Sequence, residues 1–183
     1  LVRVYVAQSR KIAEGDKLTY GGQIKWLQPE LSHLTTSQVV SDYLTGACLL
    51  IKRAVIEKIG LLDENYFLYF EDADYCVRAK QAGFALKLIP EVLVRHRVSS
   101  STSALGSPLL LRYHFRNALY FNWQHAPIEF KLLLPFWAFW VILKQLGKWL
   151  LMPSKRPVAR AILAGVLDFH LDEMGEINVK DRH

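Results

Sequence analysis

The sequence predicts an α/β fold followed by a helical region of different character. Three observations carry this. Short strand-like and helix-like segments alternate up to His96. Beyond residue 108 the apolar residues fall at helical spacing, interrupted only by prolines. Residues 111–160 hold eight Lys or Arg against one acid, Glu129, while the whole chain of 183 residues carries only +6. The expected division therefore lies near 108, with residues 1–108 as one domain and 109–183 as a helical, basic and aromatic tail. A hydrophobic content of 51% supplies a real core and excludes a disordered chain.

Taken in order, residues 1–40 read as loop and short strands. Gly21-Gly22 marks a turn into the alternating run QIKWL. YLTGACLLIK (43–52) reads as a buried strand with a close backbone approach at Gly46. RAVIEKIG (53–60) is a short helix closed by Gly60, and LLDENYFLYF (61–70) is a loop with a heavy aromatic load. A helix starts near Glu71 and runs to about Ala82, stopped by Gly83, with Ala73, Cys76, Val77 and Ala79 on its inner side. FALKLIP (84–90) and EVLVRH (91–96) are expected as two strands around Pro90. SSSTSALGSP (99–108) is a loop, 109–125 a helix, 130–152 a long apolar helix, and VARAILAGVLDFHL (158–171) a last helix.

The two cysteines, Cys48 and Cys76, offer neither a disulfide framework nor metal-binding spacing, which fits a reducing, cytoplasmic compartment. The chain opens on Leu, as though in mid-fold, and is expected to be a piece of a longer protein.

The candidate site lies in YFLYFEDADYCVR (66–78), where Glu71, Asp72 and Asp74 follow an aromatic run. Acids in the first turn of a helix satisfy free N–H groups and oppose the macrodipole. One acid suffices for that. Three in four positions repel, which raises the pKa of at least one, and carboxylates at different depths of a pocket also serve as general bases or metal ligands. Both readings stand on the cluster alone. Asp72-Ala73-Asp74 has the form of a metal-binding DxD, but on a helix residues i and i+2 point about 200° apart. Asp72 and Asp74 then do different jobs, and Arg78, one turn beyond Asp74, is placed to pair with it.

The ordered set Gly46-Ala47, Leu62-Asp63-Glu64, the aromatic run, Glu71-Asp72-x-Asp74, Arg78, Gly83, Pro90 and His96 resembles the C-terminal half of the catalytic domain of family 2 glycosyltransferases, closest to rhamnosyltransferase-like members. GGQIKW (21–26) and RYHFRNALYF (112–121) also look like family segments, so the resemblance covers about residues 17–125. It implies a GT-A fold, here partial: a mixed sheet flanked by helices. It implies inverting transfer of a sugar from a nucleotide-diphosphate donor to an acceptor hydroxyl, with a divalent metal, Mg or Mn. By this resemblance Asp72 is the base and Glu71 its neighbour in the motif. Gly46 and Ala47 line the donor–acceptor cleft, Asp74 and Arg78 hold the helix and its loop at the substrate side, and His96 meets the metal or diphosphate. Without the resemblance His96 is an ordinary strand-end histidine. The family's upstream nucleotide-binding half has no counterpart before residue 72, so these 183 residues alone are expected to show little transfer.

Leu132–Leu143 is an uninterrupted apolar run, shorter than the roughly 20 residues that span a bilayer. The longer stretch 130–152 carries Lys131, Lys144 and Lys148, with Pro135 as a possible kink. Lys144, Gln145 and Lys148 share one side, and Trp137, Trp140 and Trp149 suit a headgroup interface. One reading is a helix lying on the inner face of the cytoplasmic membrane, its cations on anionic lipid, next to a lipid-linked or polysaccharide acceptor. The other is a helix that covers the catalytic domain or a partner subunit. Nucleic acid is not expected as a partner, since the tail is more apolar than phosphate contact requires and holds no recognised motif. A non-enzymatic alternative for the whole chain is a truncated, membrane-associated interaction domain.

Overall fold

The computed structural model describes residues 3–11, 17–19, 21–34, 41–96 and 107–177, and for 3–11, 17–19, 90–96 and 107 the description is of the backbone. By contacts the chain forms two compact units. One contains 1–25, 30–62 and 71–101, and the other 26–29, 63–70 and 102–183.

The first unit is a small mixed sheet with two helices. Strand β1 (Arg3–Lys11) is central. Along one side it pairs in parallel with β6 (Ala85–His96), and along the other it pairs antiparallel with β2 (Lys17–Thr19) and β5 (Leu49–Leu50). A separate hairpin joins β3 (Gly22–Lys25) to β4 (Glu30–His33). Gly22 bridges to Tyr43, and a Cβ at Gly22 would overlap the Tyr43 ring and the Ser32 carbonyl, so only glycine fits there. Helices α1 (Arg53–Ile59) and α2 (Glu71–Gln81) pack through Val55, Tyr75 and Ala79, with Ile51, Ile59, Phe84 and Leu86 around them. Gly60 and Gly83 close these helices at φ +79° and +87°, as the sequence predicts.

Two sequence expectations are corrected here. Residues 43–52 do not form one buried strand: Tyr43 makes an isolated bridge to Gly22, only Leu49–Leu50 is strand, and Leu50 is 62% exposed. The backbone N–H groups that a ladder would use are diverted to α2. Leu44 N–H donates to Cys76 Sγ (3.3 Å), and Gly46 N–H donates to Asp72 Oδ2 (2.7 Å). Residues 85–96 form one strand where two were expected. Its register with β1 jumps between Ile89↔Ala7 and Leu93↔Gln8, so 90–92 bulge out of the ladder. Pro90 has no N–H to donate, and a bulge accommodates it without ending the strand.

The second unit is built on α3 (Ser107–His125), α4 (Ile128–Leu151) and α5 (Arg156–His170). Its core joins Leu119, Leu134, Ala138, Val141, Ile162 and Val166. Helices α3 and α5 approach so closely that a Cβ on Gly165 would overlap the Arg112 carbonyl. Beside that contact Arg112 donates two hydrogen bonds to Asp168, from Nε (2.6 Å) and Nη2 (2.8 Å). Helix α4 runs through Pro135 without a break. It is not uniform around its axis: Leu134, Ala138, Val141 and Gln145 form its buried stripe, at spacings of one turn. Gln145 thus lies inward, away from exposed Lys144, because it continues the 134/138/141 row.

Loop 63–70 belongs to this unit and is backbone-strained. Phe67, Tyr69 and Phe70 have φ of 56°, 69° and 73°, a region that side-chain-bearing residues avoid. What holds it is a buried pair on α3. Asn117 Nδ2 donates to the carbonyls of Tyr66 (2.8 Å), Leu68 (2.6 Å) and Tyr69 (3.1 Å). Arg116, fully buried, donates to the carbonyls of Asn65, Tyr66 and Glu173 and to Asn117 Oδ1. Strained carbonyls aimed at one amide are stabilised only while that amide is present.

Candidate active site

The three acids of the 66–78 stretch stand at the start of α2 and separate by function, as helical geometry requires. Asp74 is buried and accepts from Arg78 Nε at 2.7 Å. Arg78 spends its other nitrogens on the carbonyls of Ile59 (2.9 Å) and Leu61 (3.1 Å), and its guanidinium lies 5.1 Å from the centre of the Tyr75 ring. Tyr75 O–H donates to the Gly60 carbonyl. Together these side chains fasten the end of α1 to α2 and leave Arg78 fully engaged.

Asp72 faces the turn at Gly46-Ala47. Its Oδ2 accepts from Gly46 N–H and its Oδ1 from Ala73 N–H, both at 2.7 Å. The carboxylate is therefore fixed in plane and position, with lone pairs left on both oxygens. Gly46 is exposed and Ala47 half-buried. A Cβ on Gly46 would stand 3.4 Å from Asp72 Cβ and 3.6 Å from Oδ2, so bulk here would cover the acid without overlapping it. Burial raises the Asp72 pKa, opposed by the two N–H donors. Glu71 is half-buried, and its Oε2 has no hydrogen-bond partner among the described residues. Burial, and then the neighbouring Asp72 charge, push its pKa up to about 7. The arrangement presents a fixed carboxylate of raised basicity beside a second acid that titrates near neutrality, which is suited to accepting a proton.

Burial likewise holds the Cys76 thiol protonated, with a pKa pushed up to about 12. The Tyr43 phenol beside it is raised by burial and by the Asp72 charge. Neither is poised as a nucleophile. Phe70 is 2% exposed and packs on Phe121 (5.5 Å) and His114 (5.4 Å). It is core. Arg116 and Asn117 carry no role in the sequence reading, although a charged residue and an amide side by side in the largely aromatic and apolar stretch FRNALYF (115–121) are a signal.

The implied divalent metal finds no complete site here: among the described residues no three His, Cys, Asp or Glu side chains converge. His96 ends β6, its backbone opposite Lys11, and its side chain lies outside the description.

The site is an acid pair at a helix start in a mixed α/β unit, one member pinned beside a glycine turn. Comparison with known proteins shows what this stretch is similar to. Residues 29–118 match the glycosyltransferase-like family 2 model. Over 104 residues the chain is 30% identical to N-acetylglucosaminyl-diphospho-decaprenol L-rhamnosyltransferase of Mycobacterium tuberculosis, covering 54% of this chain and 34% of that one. It is 29% identical over 76 residues to the low-salt glycan biosynthesis hexosyltransferase Agl10 of Haloferax volcanii (42% and 25% covered), and 25% identical over 109 residues to dTDP-rhamnosyl transferase RfbF of Shigella flexneri (54% and 37%). Residues 29–118, just under half of this chain, are thus similar to glycosyltransferase family 2, and the relatives matched are rhamnosyl- and hexosyltransferases. It spans about a third of the length of the curated relatives it matches.

Proposed function

We propose that this segment is the acceptor side of an inverting glycosyltransferase that moves a sugar, rhamnose or another hexose, from a nucleotide-diphosphate donor to a lipid-linked or polysaccharide acceptor in cell-surface glycan synthesis. The observation that carries this is the Asp72 carboxylate, fixed by Gly46 and Ala73 N–H and reachable beside exposed Gly46. In the reaction Asp72 takes the proton of the acceptor hydroxyl as its oxygen attacks the anomeric carbon. The bond from that carbon to the diphosphate oxygen breaks, and the diphosphate leaves with the electron pair. A single in-line displacement of this kind inverts the anomeric centre. Glu71, protonated over part of the neutral range, limits charge repulsion at Asp72. Asp74 and Arg78 are positioning residues that hold α2 against the end of α1.

The described residues do not supply a metal site, and no step is assigned to a metal ion. In this reading residues 1–108 form the catalytic part and 109–183 the tail. Exposed apolar side chains along α4 support placement of the tail at the inner face of the cytoplasmic membrane. Phe136 (72%) and Trp140 (64%) are the clearest. α4 is also long and apolar enough to cross a bilayer by length and composition.

Asp72→Asn in the intact enzyme tests the mechanism. Sugar transfer should fall by roughly 10²–10⁴-fold while nucleotide-sugar binding persists. Transfer that survives the substitution would remove Asp72 from the reaction.

A further inference from the structure

The helical unit contains a pocket of about 320 Å³ that none of the preceding roles uses. Leu119 and Trp123 of α3, Leu134, Pro135 and Ala138 of α4, and Phe169 with His170 of α5 line it. This size is at the lower end of small-ligand sites, which begin at roughly 300 Å³. No Lys, Arg, Asp or Glu lines the walls. The single titratable residue, His170, has Nδ1 engaged 2.8 Å from the Val166 carbonyl. Such walls offer almost nothing to a phosphate and favour a hydrocarbon, whose burial is favourable in proportion to area.

The surroundings differ from the walls. Lys131 Nζ donates to the Gln124 carbonyl at 3.2 Å, one residue past Trp123, which sets an ammonium at the α3–α4 turn. One of its three donors is used there. An apolar pocket with a cation beside one wall complements an amphiphile: a hydrocarbon chain ending in an anionic head.

We propose that this pocket seats the phosphate-proximal isoprene units of a polyprenyl diphosphate acceptor, with Lys131 at the diphosphate. The proposal rests on the reading that the acceptor is lipid-linked, and it adds where on this chain the lipid is held. It accounts for an open apolar pocket in a unit that the transfer chemistry leaves unemployed.

Titration of the 183-residue chain with farnesyl diphosphate, in detergent-free buffer, tests it. Saturable binding is expected, with weaker binding of farnesol, which has no charged head. Ala138→Phe fills the pocket and should weaken binding at least tenfold. Trp123→Ala removes a wall at an exposed residue that folding tolerates, and should weaken it several-fold. Lys131→Gln should weaken farnesyl diphosphate but not farnesol. Absence of saturable binding, or affinity unchanged in both pocket variants, would overturn the proposal. So would equal displacement by phosphatidylglycerol vesicles, since that makes the region a bilayer contact and not a carrier-lipid site. The titration involves no donor sugar and no proton transfer, so its outcome does not depend on the transfer activity that Asp72→Asn probes. Failure of the transferase mechanism and failure of the lipid pocket are thereby read separately.

Discussion

Helices α2 and α4 depart from ordinary amphipathic patterning in opposite directions. α2 carries polar groups inward: Asp74 is buried, and Glu71 and Asp72 are half-buried at its first turn. α4 carries apolar groups outward. Leu132, Phe136, Phe139, Trp140, Leu143 and Leu150 are exposed while a narrow stripe does the packing. Each departure costs stability in a monomer in water, for α2 through desolvated charge and for α4 through hydrated apolar surface. The difference lies in how the cost is met. Within α2 nearly every inward polar atom has a specific partner, and Glu71 Oε2 is the exception. Along α4 the outward surface has no partner among the described residues of its unit, as expected of a surface that meets something else. Order inside a packed unit and an apolar surface left exposed are thus visible as two kinds of exception to one rule.

The comparison can be broken at α2 most strongly. Asp74→Ala strands the Arg78 guanidinium against two carbonyls and should cost about 2–4 kcal/mol. That is less than a fully buried pair would lose, because Arg78 keeps 24% side-chain exposure. Urea denaturation of the two proteins measures it, and a loss below about 0.5 kcal/mol would mean that the pair does not hold α2.

Next in size is a pH effect at Glu71. Its folded pKa of about 7 exceeds the ordinary value of 4.5, so the folded state binds the proton more tightly than the unfolded chain does. That stability is complete below about pH 4.5 and is lost as pH rises through 7, by an order of 2–3 kcal/mol. Glu71→Gln should flatten the stability–pH profile over that window and be the more stable protein at pH 8. A profile that stays parallel to that of the unsubstituted chain would place the carboxyl in water.

Gly46→Ala sharpens the contrast between fold and site. Its Cβ fits at ordinary contact distance, so stability should change by less than about 1 kcal/mol. In the intact enzyme, transfer should nonetheless drop about tenfold, because the methyl covers Asp72. Equal activity would show that acceptors do not approach over that glycine.

The smallest effect on stability is expected on α4. Phe136→Ser with Trp140→Ser, both at exposed positions, should shift stability by no more than about 0.5 kcal/mol for each residue. Co-sedimentation with anionic vesicles should fall several-fold. Unchanged co-sedimentation would assign this face to a protein partner.

Much of α2 is legible in the sequence because its determinants are local. First-turn acids, an inner row of small residues and a closing glycine fix its ends. The separation of Asp72 from Asp74 follows from 3.6 residues per turn. The family motifs are likewise a matter of order and spacing. By contrast, residues 43–52 do not form the expected strand, and β6 runs on past Pro90. The apolar run at 43–52 gives no sign that its N–H groups are taken by residues 26 and 32 positions away, and a proline gives no sign that the ladder resumes beyond a bulge. Arg116 and Asn117 stand out in composition, but nothing local tells that they hold strained carbonyls some 50 residues earlier in the chain.

By itself, then, the sequence determined which segments are helical, where α2 begins, which acids share no face, and that the later half of the chain is basic and apolar together. Tertiary structure alone decided which acid is pinned by Gly46, which is paired with Arg78, which oxygen of Glu71 is left without a partner, and which stripe of α4 is buried. The physical reason is range. Helical periodicity and capping act within a turn or two of the chain, whereas hydrogen-bond partners and burial, and the proton affinities they set, come from residues that only folding brings near.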